Sequence, residues 1–246
     1  MDIAPLLSVE GLSYAYPGGP PVLRNVSFSV RPGERVAVLG PNGAGKSTLL
    51  WCLVGVLRAE GRVVVAGTEL TPRTESQVRS MIGLAFSDPD DQLFMPTIGR
   101  DLAFGPRAAG DPPEQAELKA RFAARQVGLP EALFDRAPHE ISSGERRRAA
   151  LAAVLTLGPD LLALDEPTNS LDAPGCAGLA ETLAGLPCAQ LVATHDLDFA
   201  RELCSRALVL VQGQLAADDE MEALLADAER LIAYGLAARS GKRSAR

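Results

Sequence analysis

Gly40-Pro41-Asn42-Gly43-Ala44-Gly45-Lys46-Ser47 is the stretch that decides the fold. It follows a short apolar run, Arg35–Leu39, and leads into Ser47–Leu57, whose apolar content is helical, so the order is strand, loop, helix. Glycines let the backbone wrap closely enough for successive N–H groups to point at phosphate oxygens, and the following helix adds its positive end. In this pattern Lys46 supplies a point charge for the β- and γ-phosphates of a nucleoside triphosphate. The Ser47 hydroxyl is placed to ligate Mg²⁺, and Thr48 helps to hold the α-phosphate.

A phosphate cradle hydrolyses nothing without an acidic group at a neighbouring strand end. Leu161-Leu162-Ala163-Leu164-Asp165-Glu166 supplies one. Buried-strand signals at Leu161–Leu164, Gln190–Thr194 and Ala207–Val211 are separated by helical patterns, which predicts a parallel sheet with crossovers. Asp165 then sits at a C-terminal strand tip beside the loop, where open α/β sheets bind ligands. It is the second expected ligand of Mg²⁺, with Ser47. Glu166, one step later, is positioned to face an attacking water.

Working outward, Leu7–Tyr14 and Val22–Val30 alternate polar and apolar residues around Pro17-Gly18-Gly19-Pro20, which predicts an antiparallel edge sheet. Arg62–Ala66 and Met81–Phe86 read as further strands. From Ser87 to Leu157 the texture turns to loops and helices, with helices expected over Pro113–Gln126 and Gly144–Leu155. The division expected is a nucleotide-binding core of residues 1–86 and 158–218, an inserted helical subdomain of 87–157, and a C-terminal helix with a basic tail over 219–246. That last helix is read from Met221, Leu224, Leu225, Ala228, Leu231, Ile232 and Gly235 at 3.6 spacing, and Arg239–Arg246 reads as a solvated tail.

The chain has 246 residues, 47% of them apolar, enough to bury a substantial core. A net charge of -7 gives no footprint for a nucleic-acid backbone. No run approaches the roughly 20 apolar residues of a membrane span. The N-terminus, Met1–Pro5, has neither a basic segment nor an apolar core, so a cytosolic protein is expected, reaching any membrane through a partner. Cys52, Cys176, Cys188 and Cys204 lack metal or disulfide spacing and read as reduced, mostly buried thiols.

With these residues in place the chain resembles the ATP-binding cassette (ABC) ATPases. Ile141-Ser142-Ser143-Gly144-Glu145 is similar to the signature LSGGQ of that family, at a predicted helix start, where a Ser-Gly cap forms a second anion site. The resemblance implies that Ser142, Ser143, Gly144 and Glu145 of one subunit close on ATP held by the loop of another. It implies a D-loop at Asn169-Ser170-Leu171-Asp172 and a switch histidine at His195, which meets the γ-phosphate. Tyr16 stands where the family stacks an aromatic on adenine, with Tyr14 on the same strand face as the competing choice. The expected class is α/β, a P-loop NTPase core with a parallel sheet, an N-terminal antiparallel edge and an inserted helical subdomain.

Asp88-Pro89-Asp90-Asp91-Gln92-Leu93-Phe94 and Asp101-Leu102-Ala103-Phe104-Gly105-Pro106 narrow the resemblance to energy-coupling-factor importers for cobalt, nickel and vitamins. It implies transmembrane subunits, a second ATPase subunit and a place on the cytoplasmic face of the membrane. One departure is Ser87, where the family usually carries a glutamine that touches Mg²⁺ and water. Gln92 reads as coupling surface, and Asp88, Asp90 and Asp91 as a solvated loop. Two alternatives stand beside this reading: a soluble non-transport ABC ATPase, and the weakly hydrolytic half of a heterodimer.

Overall fold

Two long antiparallel strands, β1 (Leu7–Ala15) and β2 (Pro21–Val30), open the computed structural model, which describes residues 4–237. β3 (Arg35–Leu39) leads into α1 (Lys46–Leu53), and β4 (Glu60–Val65), β5 (Thr68–Glu69), α2 (Glu75–Met81) and β6 (Ile82–Ala85) follow. Three helices come next: α3 (Ile98–Ala108), α4 (Pro113–Gln126) and α5 (Ser143–Leu155). The chain then alternates through β7 (Leu161–Asp165), α6 (Ala173–Ala184), β8 (Ala189–Ala193), α7 (Leu197–Leu203) and β9 (Arg206–Val211). It ends in β10 (Gln214–Glu220), α8 (Met221–Leu225) and α9 (Ala228–Ala233).

The strands form two sheets, an antiparallel one in the order β2-β1-β4-β5 and a six-stranded one in the order β10-β9-β3-β8-β7-β6. In the larger sheet β9, β3, β8, β7 and β6 are parallel, and β10 runs antiparallel at the edge. Ala193 of β8 is in register with both Val38 of β3 and Asp165 of β7. Three strands therefore finish side by side, and the residues that follow them, Gly40, His195 and Glu166, emerge at one sheet edge.

The parallel strands are apolar on both faces because both are covered. Val36, Val38, Leu161 and Ala163 pack toward β1, β2 and α1, while Ala37, Leu39, Leu162 and Leu164 pack toward the other helices. Burying one such leucine contributes about 1.5–3 kcal/mol, so these short strands are anchored by packing from both sides. All four cysteines are free thiols, and burial pushes Cys52 and Cys204 up to about 12, leaving them protonated and inert.

One expectation needs correction. The single helix expected after residue 218 is instead the end of β10 followed by two short helices. Asp227 interrupts them, its carboxylate accepting from the Arg230 N–H and capping α9. Met221, Leu224 and Leu231 do face the core, so the spacing found the buried face and missed the break. The basic tail lies outside the described residues. The helix α3 falls within the stretch read as loops and helices; Pro106 sits in its last turn, where it lacks the N–H that would reach the Leu102 carbonyl. The strand read at Arg62–Ala66 is β4, which joins β1 in the antiparallel sheet.

The turn between β9 and β10, Gln212-Gly213, has positive φ at both residues (49° and 78°), the shape that two-residue hairpins favour. The Gly213 N–H donates to the Ala44 carbonyl (3.1 Å), and the Gly213 carbonyl accepts from the Arg24 N–H (2.8 Å). This turn thus fastens the glycine-rich loop to the sheet. A Cβ at Gly213 would collide with the Val22 carbonyl oxygen. Gly213→Ala is expected to cost about 2–3 kcal/mol in urea unfolding, through steric conflict and left-handed strain. An unchanged unfolding midpoint would contradict that role for the turn.

Candidate functional site

The loop from Gly40 to Gly45 connects β3 to α1, and Gly45, with φ 104°, is the N-cap residue of that helix. No side chain caps α1 and no acid stands in its first turn, so its leading N–H groups and dipole are left for an anion. Pro41, Asn42 and Gly43 are the outer part of the loop, Asn42 and Gly43 being exposed. Ala44 is buried, its N–H donating to the Pro41 carbonyl (3.1 Å).

Lys46 is buried, and its ammonium lies 2.9 Å from the Gly40 carbonyl oxygen and 3.2 Å from Glu166 Oε1. The other Glu166 oxygen, Oε2, is 2.8 Å from His195 Nδ1 and accepts from the His195 backbone N–H at 3.2 Å. Glu166 itself adopts φ 45°, a left-handed conformation costly for a residue with a side chain, and its N–H donates to the Ala193 carbonyl (2.7 Å). The structure therefore brings Lys46, Glu166 and His195 into one chain of contacts running from a buried ammonium to an imidazole that is 58% exposed.

Beside them the Ser47 hydroxyl donates to Asp165 Oδ1 at 2.9 Å. Burial pushes the Asp165 carboxyl above its ordinary value; the Ser47 bond pulls it back, the Glu166 charge raises it and Lys46 lowers it. Among the described residues no three His, Cys, Asp or Glu gather into a metal cage. Two hard oxygens beside a phosphate cradle are nevertheless the donor set that suits Mg²⁺, which takes one or two protein oxygens and completes its shell with phosphate and water.

The Tyr16 ring is 39% exposed, packs edge-on against Tyr14 (centroids 5.0 Å apart), and its hydroxyl lies 3.3 Å from Thr48 Oγ1. An exposed aromatic face thus borders the helix that follows the loop. Ser142, Ser143, Gly144 and Glu145 are placed apart from this group, at the start of α5. Their N-terminus is already capped: the Glu145 N–H donates to Ser142 Oγ (3.3 Å), while the Ser142 N–H and hydroxyl donate to Glu145 Oε2 (2.8 and 2.7 Å). These bonds hold the Glu145 carboxyl below its ordinary value.

Gln92 is turned inward. Its amide donates to the Ala150 carbonyl (2.9 Å) and its oxygen accepts from the Phe86 N–H (3.3 Å), so its side chain is committed to holding the loop after β6 against α5. Nearby, Phe94 is 64% exposed and edge-on to Phe104 at 4.9 Å. Asp88 caps the turn Pro89–Asp91 through the Asp90 N–H, and Asp90 pairs with Arg146 at 3.2 Å. Two contributors escaped the sequence reading. Gly213 carried a signal in its Gln-Gly dipeptide between apolar runs; Arg147, buried within Arg146-Arg147-Arg148, carried none, since only helical phase sorts three successive arginines.

The ABC transporter family pattern matches residues 23–169, more than half of the chain. A Streptomyces avermitilis protein provisionally described as an ABC transporter ATP-binding protein is 48% identical over 95% of this chain and 89% of its own length. The energy-coupling factor transporter ATP-binding protein EcfA of Methanothermobacter thermautotrophicus is 38% identical over 91% of this chain and 74% of its own. Among solved structures, CbiO1 of Clostridium perfringens, part of the ABC transporter complex CbiONQ, superposes with a TM-score of 0.82 at 31% identity, covering 94% and 95% of the two chains. With a cradle, a strand-tip carboxylate pair and a histidine gathered on such a fold, this chain belongs to the ABC transporter family of ATPases.

Proposed function

We propose that this chain is the ATP-hydrolysing subunit of a membrane importer of energy-coupling-factor type, carrying cobalt, nickel or a vitamin. The observation that carries the reading is the chain of contacts Lys46–Glu166–His195, set beside Ser47–Asp165 at an uncapped helix terminus. The likeness to EcfA and to a CbiO1 chain supports the importer class. The exposed Phe94–Phe104 pair supports a surface for transmembrane subunits. No helix among the described residues is long and apolar enough to cross a membrane, so attachment runs through those subunits, at the cytoplasmic face. A net charge of -7 speaks against nucleic acid as partner.

In this reading Lys46 and the α1 N-terminus bind the β- and γ-phosphates, and Tyr16 stacks on adenine while Thr48 faces the α-phosphate. Glu166 orients the attacking water and accepts its proton, and His195 holds the γ-phosphate side of the site. Ser47 and Asp165 would hold Mg²⁺, which would supply charge neutralisation on the phosphates. The incoming triphosphate takes over Lys46 from Glu166, which frees the carboxylate for water. Ser142, Ser143 and Gly144 come from a second subunit, identical or homologous, so that ATP joins two chains and its hydrolysis separates them. Ser87, too short to reach the metal, favours a second reading in which this chain is the slower half of a heterodimer.

Glu166→Gln is expected to lower ATP turnover at least about a hundredfold, the size of effect seen when a positioned catalytic group is lost, while ATP still binds. Near-normal turnover would refute the role given to Glu166. Tyr16→Ala is expected to weaken ATP binding about tenfold by fluorescence titration, as loss of one base stack does. A larger loss in Tyr14→Ala would move the adenine platform there. If the slower-half reading holds, Ser87→Gln raises turnover of the purified chain; no gain removes that reading.

A further inference from the structure

Arg147 lies on α5, just after the Ser142–Gly144 turn, and is only 8% exposed. Its guanidinium is held by three carbonyls from two other segments. Nη1 donates to the Phe86 oxygen (3.1 Å), and Nη2 donates to the Ser87 oxygen (2.7 Å) and the Asn169 oxygen (3.0 Å). Burial lowers the pKa of this cation, opposed by the charge of Asp88, and the carbonyl dipoles are what repay its desolvation. Acceptors spread in this way suit a planar fork and not a point charge.

The three segments are functional neighbours. Phe86 and Ser87 follow β6. Asn169 closes the turn that begins at Glu166, its own N–H donating to the Glu166 carbonyl (3.1 Å). In that turn Glu166 and Ser170 both have positive φ, 45° and 64°, so Arg147 grips the carbonyl that lies between two strained residues. Such strain persists only where the surroundings hold it. Asp90–Arg146 and Gln92–Ala150 also fasten the β6 loop to α5, but neither reaches the Glu166 turn.

We propose that Arg147 is a positioning residue for ATP hydrolysis. Through Asn169 it locks the Glu166 turn to the helix that carries Ser142, Ser143 and Gly144. The catalytic carboxylate of one site and the capping turn offered to the other site then move as one body. The second half of this inference rests on the two-chain reading above; the hold on Glu166 does not.

The test compares Arg147→Met, which fills similar volume without donors, with Arg147→Lys, which keeps the charge but not the fork. In the full chain, nucleotide affinity is read with a fluorescent ATP analogue, alongside kcat and KM for ATP and thermal unfolding. ATP-dependent dimerisation is read by sedimentation in a Glu166→Gln background. Arg147→Met is expected to keep nucleotide affinity within about twofold while kcat falls at least about tenfold, the scale of a misplaced catalytic group. Its ATP-dependent dimer weakens by a similar factor of about ten, and Arg147→Lys recovers part of both losses.

The proposal is overturned if Arg147→Met keeps kcat within about twofold of the parent. It is equally overturned if affinity, kcat and unfolding temperature fall together in both variants, the mark of a merely structural arginine. A Glu166→Gln chain that stays monomeric with ATP sinks the two-chain reading instead. The split between kcat and affinity then still decides whether Arg147 holds Glu166.

Discussion

The Lys46 ammonium, lodged between the Gly40 carbonyl and the Glu166 carboxylate, is the contact on which the rest of the site depends. A buried cation needs compensation from every side, and here the loop supplies a carbonyl while the neighbouring strand tip supplies a charge. Both are within reach only because β3, β8 and β7 run parallel and finish together. The two-faced burial of those strands is what makes that edge rigid. In the proposed function a triphosphate replaces Glu166 as the anionic partner of Lys46, which couples ligand entry to release of that carboxylate.

The two helix N-termini of the proposed composite site are unequal. α1 has no side-chain cap, whereas at α5 the Ser142–Glu145 capping box takes up the Glu145 N–H but not those of Ser143 and Gly144. The first is bare toward an anion; the second offers the backbone N–H groups of Ser143 and the half-buried Gly144 beside its capping box. In the proposed two-chain reading, this asymmetry lets the nucleotide settle on the α1 side before the second chain closes on it.

Much of this was legible in the sequence because its rules are local. A glycine-rich octapeptide between a strand and a helix fixes Lys46 and Ser47. An apolar run ending in Asp165-Glu166, or in Thr194-His195, fixes a strand tip, and parallel connection then brings the tips together. What escaped depends on contacts between distant segments. β10 is too polar to announce itself, and it pairs with β9 partly because Asp218 meets Arg206 across the ladder at 2.6 Å. The break at Asp227 was hidden by residues on either side that keep the same apolar face. Arg147 could not be told from Arg146 and Arg148 until the helix was turned toward the Ser87 and Asn169 carbonyls.

The most direct measurement is a crystal structure of the chain with Mg²⁺ and a non-hydrolysable ATP analogue. The account predicts two chains facing each other, the γ-phosphate held by Lys46 of one and by the backbone of Ser143 and Gly144 of the other, with Glu166 detached from Lys46. A nucleotide bound wholly within one chain, with every α5 N-terminus turned away from it, would contradict the account.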